Sequence, residues 1–509
     1  MNNREPIIVG VGQMAHKSKT PGDFLHPLQA MKLAVKRAND DAECKDLINS
    51  ADALHVVNIF TWNYRKAPQA LADLLDIKPA VKEYTTIGGD TPQWLVNRVA
   101  DNLASGKNKI TIVAGCEVMH SIKRAMMDGK PPAGFRDSFE NIAPIGNDSD
   151  GVVVGKQRLG HNDLESDHFM NMPARVYPLI ENALRAKEGL TVEQQRQNLG
   201  QFGETFSAVA AKNPYAWSRN RFTAEQVITP SSQNRMVSFP YTKLLTANLY
   251  VDQAAALIMT TPQVARKLGI PEKKWVYLHG GQDAHDLWFI SEREDLADSP
   301  AIKACVQDAF QQAGRSMEDI SFFDFYSCFP CMPRLYRHVL GIDHTDPRPM
   351  TLTGGLPYFG GPGSNYTMHS IAEVVNRCRN GPEKFGLITS NGWYCTKHSA
   401  GIYSCRKPPK RWDRMSSDLF QQRLSLPKTL ETDQSPSGSF VVDSYTVWFD
   451  RQGEPETGIL IGRTLSGKRA LAHTPEGNKD LLLAMMQKEW IGAKGKIIGQ
   501  KGKINIVDF

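Results

Sequence analysis

The sequence predicts an α/β protein that ends in a smaller β-rich module. Three observations carry this. Buried-strand and amphipathic-helix patterns alternate through residues 1–119. The same rhythm returns after residue 236. Beyond about residue 408 the text turns rich in Pro, Ser and charge, then into short strand patterns.

Taken in order, "EPIIVGVGQM" reads as a buried strand and "HPLQAMKLAVKRAND" as a helix with a basic outer face. "ADALHVVNIF" is the next strand. "TPQWLVNRVADNLASG" is an amphipathic helix closed by Gly106, and "NKITIVAGCEV" is a further buried strand. This is βαβ alternation on a largely parallel sheet. Residues 120–235 are polar and irregular with helical patches, as expected of a long excursion that shapes a binding site. "QAAALIMTT", "KWVYLHGG", "DISFFDFYSCF" and "FGLITSNG" are strands. Between them lie the helices "PAIKACVQDAFQQAG" and "NYTMHSIAEVVNRCRNG". The order echoes the first half and points to an internal duplication. The tail, from "GSFVVDSYTVWFD" to "KGKIIGQKGKINIVDF", reads as a small α+β or barrel-like domain whose lysines protect a sheet edge.

A chain of 509 residues exceeds one ordinary core, so two or three domains are expected. Net charge is +6 with 22% charged residues. That suits an anionic small ligand and does not argue for nucleic acid. No stretch has the length of a membrane span, and the eight cysteines are scattered, so a reducing cytoplasm is expected. The C-terminal "NIVDF" carries no peroxisomal or ER address.

Several motifs invite chemistry. "GVGQMA" fits G-x-G-x-x-A, but Pro21-Gly22 breaks any helix after it, so a tight turn after the first strand is preferred. "CFPC", with Cys328 and Cys331, has redox spacing without thioredoxin-like surroundings, and no matching ligands suggest a metal. His398 follows a strand end among small residues. "TGGLPYFGGPG", residues 353–363, is a glycine turn that lacks the ending of a P-loop.

In this order, "GGDTPQWLVNRVADNLASG", "AGCEVM", "YTKLLTANLYVDQAAALI", "YSCF", "TGGLPYFGGPG" and "GLITSNG" resemble the thiolase superfamily over roughly residues 5–405. The chain is most similar to sterol-carrier-type thiolases and to type 1 thiolase-like proteins with an extra C-terminal domain. The resemblance implies two duplicated βαβαβαββ halves in a layered α/β/α/β/α core. It places the N-terminal half at 1–119 and 236–265, a loop domain at 120–235 and the C-terminal half at 266–408. A linker at 409–436 and an added domain at 437–509 follow. It also implies a coenzyme A thioester as substrate, no metal, no membrane and no nucleic acid. The state would be monomer or homodimer, with the added domain available to a protein partner.

Thiolases use a nucleophilic Cys at a helix N-terminus, a His in G-H-P, an Asn or His oxyanion turn and a second Cys. Carried over by position, these fall on Gly89, Gly361, Tyr326-Ser327-Cys328-Phe329 and Asn391. The resemblance therefore implies a thiolase frame without thiolase groups. Three turns are expected to converge: Tyr326 and Cys328; Tyr358, Gly360 and Gly361; Asn391, Lys397 and His398. Tyr326, Tyr358 or His398 would move protons, and glycine-turn N–H groups would hold an enolate oxygen. The expected chemistry is aldol-type or enolate C–C bond chemistry on an acyl-CoA without an acyl-enzyme. The alternatives are a non-catalytic acyl-CoA-binding or scaffold protein, and a residual thiolase using Cys328 or Cys395. Each residue also has a plainer reading: the tyrosines pack under the sheet, Cys328 is a small buried hydrophobe, and Asn391 caps a turn.

Overall fold

The computed structural model describes residues 4–18, 20, 22–130, 134–135 and 152–509. Parts of the expected 120–235 excursion, and Pro21, lie outside the described residues. The first strand, β1 (Ile7–Ala15), is buried along almost its whole length. It runs straight through "GVGQMA", so the expected turn does not form. The reason is helix packing: α1 (Pro27–Asp41) lies flat against the strand. A Cβ on Gly10 would sit 2.1 Å from the Ala38 oxygen, and one on Gly12 2.0 Å from that of Ala34.

The chain then builds β2 (Ala53–Val56), α2 (Ala67–Leu75), β3 (Val81–Thr85), α3 (Thr91–Ser105) and β4 (Thr111–Val118). Gly106 ends α3 in the left-handed region, φ 77°, as its position predicts. After α4 (Met119–Met127), β5 (Val152–Val154) adds to the sheet edge parallel to β3. Helices α5 (Asp163–Asp167), α6 (Pro173–Lys187), α7 (Val192–Ala210) and α8 (Ala224–Ile228) follow within the excursion, joined by irregular segments. The short strands β6 (Met236–Ser238) and β7 (Tyr241–Thr242) precede β8 (Asp252–Thr260), which inserts antiparallel between β1 and β4.

The second half follows α9 (Pro262–Lys267) with β9 (Val276–His285), α10 (Pro300–Ala313), β10 (Ile320–Asp324), α11 (Cys331–Leu340), α12 (Gly355–Tyr358), α13 (Tyr366–Arg379), β11 (Phe385–Gly392) and β12 (Lys397–Ser404). The large sheet runs β10-β11-β12-β9-β1-β8-β4-β2-β3-β5. Its centre is a narrow joint, where β1 meets β9 only through Ile7↔Tyr277 and Ile8↔Val276. Each side of the joint has one order: β3-β2-β4-β8-β1 in the first half, β10-β11-β12-β9 in the second. The duplication is therefore a fact of topology, with one departure from the expected pattern. No second-half strand answers β3; the chain there meets the sheet through Phe325 N donating to the Met350 oxygen. The helices α3 and α13 are buried between the two half-sheets. Leu95, Val96 and Val99 pack with Val374, Val375, Val113, Leu257 and Ile388 in one cluster.

The segment expected to be a free linker is a bonded strap. Arg414 is buried and donates to both Asp101 oxygens (Nε at 3.1 and 3.0 Å, Nη2 at 2.8 Å) and to Asp283 (2.6 Å). In α14 (Ser417–Arg423), the Gln421 amide accepts from His285 N at 2.7 Å and donates to the His285 oxygen at 3.0 Å. It occupies the free edge of β9 as a further strand would. Removing the guanidinium leaves Asp283 buried without its counter-charge. Arg414→Ala is expected to lose about 3–5 kcal/mol in urea unfolding, with new protease cutting between residues 407 and 425.

Beyond the strap, β13 (Gly438–Phe449), β14 (Pro455–Thr464), β15 (Arg469–His473), α15 (Lys479–Gln487), β16 (Lys494–Lys501) and β17 (Ile504–Asp508) follow. β13 pairs with both β14 and β16, and β15 with β17 in parallel, so the strands close into a barrel of OB type. β6, from the stretch assigned to the first half, also pairs with β13. Helix α6 docks the barrel: Asn182 donates to the Tyr445 oxygen (2.8 Å), and Arg185 binds Glu489 (2.6 Å).

Two buried histidines seal the same joint. His168 Nδ1 lies 2.9 Å from the Leu164 oxygen, and its Nε2 accepts from Asn505 N (3.2 Å) and Nδ2 (3.0 Å). His473 Nε2 meets the His168 oxygen at 3.0 Å. Burial lowers both pKa values, that of His473 to about 4. The folded state thus holds these rings neutral, while the unfolded chain protonates them near pH 6.5. Their stabilising contribution is complete above about pH 6.5 and is lost as pH falls toward 4. Thermal melts are expected to show this fall, and His473→Gln to flatten it.

Candidate functional site

The site lies where α3 begins. Gly88, Gly89 and Asp90 form the turn into α3, which is buried at its start because it is a central-layer helix. A Cβ on Gly89 would stand 2.2 Å from the Tyr326 hydroxyl and 2.5 Å from the Asn391 oxygen. The Tyr326 phenol therefore fills the place a side chain at Gly89 would take. Its ring meets Tyr366 edge-on at 5.6 Å. Burial, reinforced by Cys328, Tyr366 and Asp90, pushes the phenol well above its ordinary pKa. At rest it is a protonated acid.

The glycine turn joins this centre through its far end. Ser364 Oγ accepts from Gly88 N at 3.1 Å, and Thr367 Oγ1 donates to the Gly89 oxygen at 3.0 Å. Gly360 is glycine because Gln253 Oε1 lies 2.4 Å from where its Cβ would be. Gly361 is not forced by packing: a Cβ there would touch Leu249 and Leu356 at 3.4 Å each, ordinary van der Waals contact. Its N–H donates to the Asn248 oxygen at 2.8 Å, so it is not the enolate-holding donor the sequence suggested. Tyr358 also leaves the centre. Its hydroxyl points at α7, 2.6 Å from the would-be Cβ of Gly203, and its ring lies beside Phe222.

The third turn divides by strand alternation. Asn391 pairs with His398, and Gly392 with Lys397, across the β11–β12 hairpin. The His398 ring faces α10, where Nε2 meets Asp286 at 3.2 Å and Nδ1 has no partner. Asp286 is also bound by Ala301 N at 3.0 Å. Lys397 faces α3 instead. Its Nζ pairs with Asp90 at 3.0 Å and donates to the Ile87 oxygen at 2.9 Å.

A residue that sequence reasoning missed holds the other side. Tyr177 of α6 donates to the Trp393 oxygen at 2.6 Å and accepts from Asn391 Nδ2 at 2.7 Å. With its proton spent on a carbonyl, it fixes the Asn391 amide and leaves Oδ1 without a partner. Trp393 and Cys395, in the same hairpin turn, have φ of 56° and 54°. Non-glycine residues tolerate such angles only where packing enforces them. Cys328 lies beside Tyr177 and Asn391, and burial pushes its thiol up to about 12, as it does that of Cys395. Neither thiol is poised as a nucleophile, which removes the support for a thiol route.

Cations gather on the outer rim of the glycine turn. Trp217 N and Ser218 N donate to the Phe359 and Tyr358 oxygens. Lys17 donates to the Ala216 oxygen at 2.6 Å, and its Nζ lies 5.8 Å from the Trp217 ring. Burial and then Arg219 hold its pKa below the usual lysine value. Lys17 and Arg219 suit a phosphorylated carrier. Among the described residues, no group of three or more His, Cys, Asp or Glu is placed to hold a metal ion, and no helix is long and apolar enough to cross a membrane.

Residues 420–502 match the family model of the thiolase-like protein type 1 additional C-terminal domain. The crystal structure of a monomeric SCP2-thiolase-like protein type 1 from Mycobacterium smegmatis is 31% identical, with TM-score 0.84 and complete coverage of both chains. The Ltp2-ChsH2(DUF35) aldolase matches 80% of this chain and 100% of its own at 18% identity and TM-score 0.60. A curated relative, the benzoylsuccinyl-CoA thiolase subunit BbsB of Thauera aromatica, is 24% identical over 133 residues. That match spans 26% of this chain and only 32% of the subunit. The layered core, the C-terminal barrel and the full-length likeness agree: the chain belongs to the thiolase superfamily, among its SCP2-thiolase-like proteins of type 1.

Proposed function

We propose that the protein binds an acyl-CoA and acts on a C–C bond next to the thioester carbonyl through an enolate, with Tyr326 as the acid. The observation that carries this is the Tyr326 hydroxyl at the Gly89 position. A thiolase needs a thiol there to form an acyl-enzyme, and this chain presents a buried phenol instead. A phenol with a raised pKa cannot take an acyl group readily, but it can protonate an enolate carbon or an aldol oxygen. Asn391 Oδ1, fixed by Tyr177, is an acceptor for a donor on the substrate. The partial likeness to a benzoylsuccinyl-CoA thiolase subunit supports this ligand class, and the aldolase shares the fold on which such chemistry is built. Bound CoA would lie with its phosphates toward Lys17 and Arg219 and its thioester past Gly361. The chain is a monomer in this reading, because β5 and the strap cover the outer edges of β3 and β9.

The test is exchange of the α-protons of acetyl-CoA and propionyl-CoA in D2O, read by mass spectrometry beside binding isotherms. Binding with exchange, and no covalent acyl adduct on the protein, is the expected result. Binding without exchange favours a non-catalytic acyl-CoA-binding protein, the second reading. Binding of no CoA ester overturns both.

A further inference from the structure

The Asp90–Lys397 pair is an unexplained charge at the centre. Both side chains are almost fully buried. The turn makes room for them with glycines on two strands of chain. A Cβ on Gly88 would lie 2.4 Å from Lys397 Nζ and 2.2 Å from Asp90 Oδ1; one on Gly392 would lie 2.0 Å from Asp90 Oδ1. Asp90 does not cap α3, although it stands in the N-cap position. A buried ion pair is a poor way to stabilise a helix start, since desolvation consumes most of its attraction. Its position suggests chemistry. Lys397 Nζ abuts Gly88, and the Tyr326 hydroxyl abuts the next residue, Gly89.

On its other side the pair reaches water. A half-open cavity of about 430 Å³ has Asp90, Lys397, Thr91 and His398 in its lining, with Trp94 and Trp288 among its walls. Of the charged groups facing it from other elements, Arg414 is paired with Asp101 and Asp283 and Arg98 with Glu83, while Lys156 lies beside His285 at 3.2 Å without an acidic partner in that contact. Its polar floor beside a buried acid is the arrangement of a proton entrance.

We propose that Lys397 is the proton-supplying relay for Tyr326, filled from water in this cavity and held in place by Asp90. This rests on the acyl-CoA chemistry proposed above. After Tyr326 has given its proton to the enolate carbon, the phenolate is reprotonated from the Lys397 ammonium across the Gly88–Gly89 turn; no direct hydrogen bond joins the two groups at rest, so one intervening water carries the proton. The neutral amine then takes one from cavity water, which leaves as hydroxide. In the exchange direction the steps reverse: the amine accepts the phenol proton, and the phenolate accepts the α-proton, leaving the enolate. Lys397 acts through Tyr326 and does not touch the substrate.

Lys397→Arg and Lys397→Ala separate this role from a structural one. Arginine keeps the charge beside Asp90 but cannot release its proton. Both variants are expected to bind acetyl-CoA as the wild type does and to exchange its α-protons about 100-fold more slowly. Ethylamine, entering through the cavity, should restore exchange in Lys397→Ala in proportion to its concentration and leave Lys397→Arg unchanged. A Lys397→Arg protein that exchanges at the wild-type rate overturns the relay while the enolate chemistry stands. So does a Lys397→Ala protein that binds acetyl-CoA and ignores ethylamine. If Lys397→Ala does not fold, the arginine variant decides alone. A wild type that binds acetyl-CoA without exchange removes the enolate chemistry, and the relay with it.

Discussion

Tyr326→Phe is expected to lower α-proton exchange by about 10²- to 10⁴-fold, with the acetyl-CoA isotherm close to that of the wild type. The substitution removes one oxygen and keeps the ring that packs edge-on against Tyr366. Among the described residues no hydrogen bond of the fold depends on that hydroxyl, so the stability cost is small, of order 1 kcal/mol. Loss of exchange with retained binding therefore reports an acid used only in the reaction. Tyr358→Phe is the matched control. That hydroxyl is buried against α7, away from Gly89, and its loss is expected to leave exchange intact. Full exchange in Tyr326→Phe, or its loss in Tyr358→Phe alone, would reverse the roles of the two tyrosines.

Gly89→Cys restores the thiolase residue type and is expected to damage the protein. The new Cβ meets the Tyr326 oxygen at 2.2 Å, its ring carbon Cζ at 2.6 Å and the Asn391 backbone oxygen at 2.5 Å. Two of these contacts are to a ring wedged in the core, and the third is to main chain in the hairpin. The phenol must leave its place, at a cost of about 1–3 kcal/mol or more. Unfolding in urea should show that loss, and exchange should fall with the displaced acid. Adding Tyr326→Phe is expected to recover part of the stability, a coupling that only neighbouring residues show. A Gly89→Cys protein of wild-type stability that traps an acyl group on the new thiol would mean that the pocket has kept its thiolase form.

Much of this architecture is legible in residue patterns. Strand and helix periodicities place β1, α1, β2, α3, β4, β8, β9, α10, β10, α13 and β11 but miss β3, β12, α2 and α11, and the motifs of the thiolase resemblance pick out Gly89, Tyr326 and Asn391, which the structure brings together. The failures have local physical causes. Gly10 and Gly12 look like a turn because glycine marks both turns and close packing; only the approach of α1 tells them apart. Lys397 and His398 are neighbours in sequence, but the pleat of β12 sends them to opposite faces, and the lysine reaches the centre. Tyr177 comes from a helix more than two hundred positions away from Asn391, and no local pattern signals it. The strap reads as a linker because Pro, Ser and charge are typical of linkers. Its order comes from Arg414 and Gln421 finding an acidic pair and a bare strand edge that lie far off in sequence.

Helix α6 gives the added barrel a bearing on the site. It carries Tyr177 to Asn391 near one end and Asn182 and Arg185 to the barrel near the other. Between them Glu181 binds Tyr241 at 2.7 Å and is paired with Arg334 of α11. The barrel thus braces the helix that orients the site amide.

The most direct test is a crystal structure of the protein with a non-hydrolysable acetyl-CoA analogue. The expected result places the pantetheine past Gly361 and the analogue's carbonyl and α-carbon within hydrogen-bonding reach of the Tyr326 hydroxyl, with Asn391 Oδ1 facing the ligand. A pantetheine that ends at Cys328 or Tyr358, or that enters through the cavity beside Lys397, would contradict it.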